Sequence, residues 1–159
     1  MSGSPSTPGH PSGRPADQPA GRSHTVLVYS DNPQVRDAVR LAIGRRPARD
    51  LGRVEFVEVA TGPKLIEAVD AGGIDLAILD GEAWPTGGLG LAKQLKDELA
   101  DCPRTLVLVA RRDDTWLATW SLADAVLWYP IDAPQMASTV SEQLRAREAR
   151  LPVRRHAAS

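Results

Sequence analysis

The sequence predicts an α/β protein, a five-stranded parallel sheet with helices on both faces. Three observations carry that reading. Short β-rich runs alternate five times with segments of helical period. The first, third and fourth runs are apolar enough to lie at the centre of a sheet. The second alternates apolar and acidic residues, as a half-exposed edge strand does.

In chain order, TVLVYS (25–30) is the first strand. NPQVRDAVRLAIGRR (32–46) follows, with Val35, Val39, Leu41, Ala42 and Ile43 close to a helical period. VEFVEVA (54–60) is the edge strand. GPKLIEAVDAGG (62–73) reads as a helix, with Pro63 in its first turn and Gly after its end. IDLAIL (74–79) is a strand and GLGLAKQLKDELA (88–100) a helix. TLVLVA (105–110) is a continuous apolar strand. DDTWLATWSLA (113–123) is a short helix opened by capping aspartates. AVLWY (125–129) is the last strand. DAPQMASTVSEQLRAREAR (132–150) is the last helix, opened by an Asp132 N-cap with Pro134 soon after. Such alternation predicts right-handed crossovers, and five units predict the flavodoxin-like strand order 2-1-3-4-5.

A chain of 159 residues accommodates one domain with a proper core, here 24–147, and is short for two. Residues 1–23 are Pro, Gly, Ser and polar, cannot bury enough surface to offset their ordering entropy, and read as a disordered tail. Residues 148–159 read as a frayed helix end and a short basic tail. That tail could touch nucleic acid or an acidic partner, but a solubilising end is the simpler reading. The formal net charge of −1 gives the whole molecule no pull toward nucleic acid or membrane. No segment approaches the ~20 apolar residues of a membrane span, and no apolar run marks a secretory signal. The single cysteine, Cys102, excludes an internal disulfide, is too few for a zinc site, and fits a reducing cytoplasm. It is placed in a loop before a strand.

In a sheet of this order, function gathers beyond the carboxyl ends of strands one and three, where the order reverses. Strand one ends at Ser30-Asp31-Asn32 and strand three at Asp80-Gly81. Asp31 and Asp80 should face one crevice. With a backbone carbonyl and water, two carboxylates there can hold Mg²⁺. Each also has a plain structural reading. Asp31 or Asn32 can cap the helix that Pro33 enters, and Asp80-Gly81 is ordinary turn chemistry.

Three stretches, VLVYSDNPQVRDAVRLAI, IDLAILDGEAWPTGGLGL and ADAVLWYPID, resemble the receiver domain of two-component response regulators over about 24–147. The spacing from Asp80 to Gly88 fits that family, and Tyr129-Pro130 sits where the family has Lys-Pro. The resemblance makes Asp80 the phosphoryl acceptor, Asp31 the acidic Mg²⁺ ligand, and the Glu82 backbone carbonyl a third ligand. It also exposes departures. The family has two adjacent acids after strand one, and here the first is Ser30. It has Ser or Thr at the end of strand four, and here stands Ala110. Its Lys is Tyr129, and its aromatic switch residue on strand five is Val126. Losing one donor to a transferring group costs roughly 10²–10³ in rate. Arg111 or Arg112, just past strand four, could return a charge.

These residues imply a stand-alone, phosphorylation-degenerate receiver, not an enzyme, that signals by protein contact. A second reading keeps Asp80 as a working acceptor of a histidine kinase or phosphotransfer protein, capable at most of Mg²⁺-dependent self-phosphorylation. A third is a flavodoxin-like domain binding a small ligand, against which SDNPQ after strand one lacks the glycine-rich phosphate loop. Trp116, Trp120 and Trp128 lie on the fourth helix and fifth strand, within the helix 4–strand 5–helix 5 face that is the family's usual docking and dimer surface, and imply a protein partner or a homodimer there. One of Trp116 and Trp120 is expected in the core. Trp84, beside Pro85, is expected to cap the Asp80 pocket.

Overall fold

A computed structural model describes residues 22–158 and shows five parallel strands in the order β2-β1-β3-β4-β5. The strands are β1 His24–Tyr29, β2 Val54–Val59, β3 Leu76–Asp80, β4 Arg104–Val109 and β5 Ala125–Trp128. Between and after them run α1 Pro33–Ile43, α2 Gly62–Asp70, α3 Gly88–Glu98, α4 Thr115–Trp120 and α5 Ala133–Ala158. The edge strand, the central strands and their order are those expected. Most of the tail assigned to 1–23 lies outside the described residues. Its last two residues belong to the body, where Arg22 Nη2 donates to Asp75 Oδ1 at 2.9 Å. The last helix extends past the expected end at 150 and runs to Ala158.

The pleat divides the core into two layers. Val26, Val28, Leu76, Ile78, Leu106 and Leu108 face one side with Val39 and Ile43 of α1 and Met136, Val140 and Leu144 of α5. Leu27, Tyr29, Ala77, Leu79 and Val107 face the other, with Leu65 of α2, Leu91 and Leu95 of α3, and Ala118 of α4. Cys102 lies buried at the foot of β4, and burial raises its thiol pKa.

Local chemistry sets the helix starts. Asn32 caps α1 by accepting from Gln34 N at 2.9 Å, with Pro33 at its first position. Thr61 caps α2, and Asp132 Oδ2 accepts from Gln135 N at the start of α5. At α4 the expectation fails. The helix spans six residues and follows a 3₁₀ turn at Arg112–Asp114, and Asp114 makes no side-chain cap bond. Thr115 Oγ1 instead closes that turn on the Arg112 carbonyl at 2.6 Å.

Two glycines set the loop that leaves β3. A Cβ on Gly81 would stand 2.5 Å from the Leu108 carbonyl oxygen. On Gly88, the first residue of α3, it would stand 2.8 Å from the Asp80 carbonyl oxygen. α3 therefore begins directly against the backbone of Asp80.

Candidate functional site at the carboxyl ends of β1 and β3

Asp80 is the last residue of β3, in parallel register beside β1 and β4, and only 3 % exposed. Burying a carboxylate requires donors, and three converge on it. Ser30 Oγ, just past β1, donates to Oδ2 at 2.7 Å. The Tyr129 hydroxyl, just past β5, donates to Oδ1 at 2.7 Å, and Glu82 N donates to the same oxygen at 2.9 Å. Burial first, then the bond to Asp80 and the charges of Asp80, Glu82 and Asp31, raise the Tyr129 pKa well above its ordinary value. Tyr129 is thus held as a protonated donor.

Asp31 is exposed and shares the crevice, as expected. Its Oδ1 accepts from Trp84 N at 3.2 Å, so it holds the loop after β3. The Tyr29 hydroxyl holds the same loop further along, at the Thr86 carbonyl. Glu82 Oε2 accepts from Ala110 N at 3.3 Å, which occupies the backbone donor at the end of β4. Sequence reasoning noted Ser30 and Tyr129 as lost family residues but did not anticipate their bonds to Asp80. It also missed the two bonds that fix the loop. The only signal was position, since Ser30 and Tyr129 immediately follow the ends of β1 and β5 and Tyr29 terminates β1.

Two expectations need correction. Trp84 does not close the pocket, because it is 75 % exposed while its main chain is held by Asp31. The lid on Asp80 is made by Ser30 and Tyr129. Nor does either tryptophan of α4 enter the core. Trp116 and Trp120 are 67 % and 48 % exposed, because Ala118 takes the buried position of this short helix. Residues two before and two after Ala118 point about 200° away from it. Trp128 lies under Arg112, whose guanidinium stands 4.4 Å from the ring centroid. Arg111 approaches Asp114 at 3.9 Å. Neither arginine is paired with Asp80 among the described residues.

The donor set also bears on the divalent cation that the fold class implies. Asp31, Asp80 and the Glu82 carbonyl are what this chain offers. Among the described residues no three His, Cys, Asp or Glu side chains form a group suited to a metal. Where a second acid would add a lone pair, Ser30 directs a proton at Asp80 Oδ2. Both Asp80 oxygens already accept hydrogen bonds, and so does Asp31 Oδ1. This set fits a hard cation poorly.

The chain is 60 % identical over 121 residues to an uncharacterized response regulatory protein of Mycobacterium tuberculosis, found in strains H37Rv and CDC 1551. That match covers 76 % of this chain and 91 % of the relative. The chain belongs to the response regulator receiver family. No family model matches it. Solved receivers share the fold at low identity. The signal receiver domain assigned to the LuxO repressor of Vibrio parahaemolyticus superposes with a TM-score of 0.71 at 17 % identity, covering 83 % of this chain and 98 % of that one. The response regulator TrrA of Thermotoga maritima, solved in complex with Mg²⁺ and beryllofluoride, gives 0.63 at 22 %, covering 76 % and 99 %. No helix among the described residues of this receiver is long and apolar enough to cross a membrane.

Proposed function

We propose that this receiver is a signalling module with a locked acceptor pocket, which works by binding other proteins and not by phosphoryl switching. The observation that carries the reading is the hydroxyl lock on Asp80, with Ser30 on one oxygen and Tyr129 on the other, each at 2.7 Å. Phosphoryl transfer to a carboxylate needs an accessible oxygen lone pair and cations or donors aimed at the incoming group; Ser30, Tyr129 and Glu82 N already take three of the roughly four acceptor sites of Asp80. Here the hydroxyls aim at the nucleophile itself. Ala110 has no hydroxyl to offer, and its N–H is already taken by Glu82. Tyr129 offers no charge. Mg²⁺ binding is accordingly weak in this reading. The exposed Trp116 and Trp120 supply a contact face for a protein partner, and Trp128 lies under Arg112. A kinase or another regulator is the class of partner expected for the family, and the cytoplasm its compartment.

The test is incubation of the purified protein with Mg²⁺ and acetyl phosphate, followed by intact mass. The expected result is no added phosphoryl group. An adduct that disappears in Asp80→Asn would overturn the reading and make this a phosphorylated switch.

A further inference from the structure

We infer that the mouth of the acceptor crevice is a docking point for an arginine- or lysine-bearing protein segment, with Trp84 as its aromatic anchor. The inference rests on the binding-module reading above and names the partner chemistry at that crevice. Its first support is Trp84, 75 % exposed and, among the described residues, the most exposed of the large apolar side chains apart from Leu41. Its second is the fixing of the segment that carries it. Asp31 Oδ1 accepts from Trp84 N, Ala83 N donates to the Asp80 carbonyl at 3.1 Å, and Tyr29 holds the Thr86 carbonyl. The indole is thus exposed on a main chain whose ordering entropy is already spent, which favours binding.

The third support is charge. Asp31 and Glu82 are exposed beside Trp84, with Asp80 beneath them. None of the three forms an ion pair with Lys or Arg among the described residues. Arg36, the cation bonded at this end of β1, reaches only the Ser30 carbonyl at 2.6 Å and Glu58 at 3.1 Å. An exposed indole on a loop that also carries Glu82 and is held by Asp31, carboxylates without a basic partner among the described residues, fits a guanidinium or ammonium, which aromatic rings and carboxylates both attract. A second copy of this chain is a poorer occupant, because a symmetric contact here would oppose carboxylate to carboxylate.

The test is an amide- and indole-detected NMR titration of the full-length protein, at low ionic strength, with blocked tetra-arginine. Blocked tetra-citrulline, its neutral counterpart, and Mg²⁺ alone are the controls. Tetra-arginine is expected to move the Trp84 indole signal and the amides of Asp31 and Glu82, and tetra-citrulline to leave them in place. Affinity should fall about tenfold in Trp84→Ala and severalfold in Asp31→Asn with Glu82→Gln, and be largely kept in Trp84→Phe. Asn at 31 keeps an oxygen for Trp84 N, so its loss of affinity reports charge. Equal shifts with tetra-citrulline would mean that the positive charge is not what is read, and overturn the inference. So would Trp84→Ala binding like the parent, or Mg²⁺ alone saturating the same signals and blocking the peptide. The two readings fail separately. A phosphoryl adduct with peptide binding intact sinks only the locked-pocket reading, and no peptide shift without an adduct sinks only the docking inference.

Discussion

Tyr129 sets the immediate surroundings of Asp80. It stands where the family places a cation, yet it donates one neutral hydrogen bond, and its raised pKa keeps that donor in place. Tyr129→Phe removes a donor from a buried carboxylate and is expected to cost about 1–3 kcal/mol in urea unfolding. A pH signature accompanies it. The folded pKa is raised, so above the unfolded value near 10 the unfolded chain loses this proton while the folded chain keeps it. Stability from this residue is fully present below about pH 10 and is lost as pH rises through the folded value. Tyr29, whose pKa burial also raises, contributes with the same sign. The alkaline decline should therefore be shallower, not absent, in Tyr129→Phe, as unfolding midpoints between pH 8 and 11 would show. Restoring the missing chemistry is the complementary check. Tyr129→Lys with Ala110→Thr returns one cation and one hydroxyl, and each well-placed donor is worth roughly 10²–10³ in rate. The double variant is expected to form an acetyl-phosphate adduct where the parent forms none, read by intact mass and lost when Asp80→Asn is added.

Among the elements, the junction of β3 with α3 leaves least room for change. A Cβ at Gly88 would meet the Asp80 carbonyl oxygen and the Leu79 carbonyl carbon, each at 2.8 Å, and both are backbone. Gly88→Ala is expected to cost about 1–3 kcal/mol through the shift it forces. Gly90, two residues on in the same helix, has nothing within 4 Å of that position, and Gly90→Ala should stabilise by about 0.4–1 kcal/mol. Opposite shifts in the two melting midpoints are the check. The elements also show what the sequence made legible. Strong alternation revealed five strands and five helices, and parallel connectivity placed Asp31 and Asp80 in one crevice. The fourth helix was the weak point, since six residues are too few for a periodic pattern to fix a face. Trp116 and Trp120 correctly share one, but it is the outer one. The Tyr129–Asp80 bond could not be read at all. β4 lies between β3 and β5, so the bond crosses an intervening strand that no local pattern encodes.

At the scale of the molecule, a receiver works as a switch when an event at the carboxyl end of β3 moves the face built on α4 and β5. The two core layers share one sheet, and neighbours such as Leu27 and Val28 point into opposite layers, so the frame for such coupling is intact. In the locked-pocket reading, what it lacks is a moving part. Where the family has a hydroxyl at the end of β4 to engage a group on Asp80, this chain has Ala110, whose N–H is engaged by Glu82. On β5, the half-buried Val126 has no ring to swing. Arg112 is stacked on Trp128, which braces the segment that would have to move. The tryptophan face should therefore hold one conformation whatever is offered to the pocket. Mg²⁺ with beryllofluoride, the pair found in the TrrA complex, is the direct probe. Added at millimolar concentration, it is expected to leave the amide signals of residues 110–128 where Mg²⁺ alone leaves them. A saturable shift there, absent in Asp80→Asn, would mean that β4 and β5 respond to Asp80 after all. The contact face would then belong to one of two states, and the Ser30 and Tyr129 bonds would be the inactive half of a working switch.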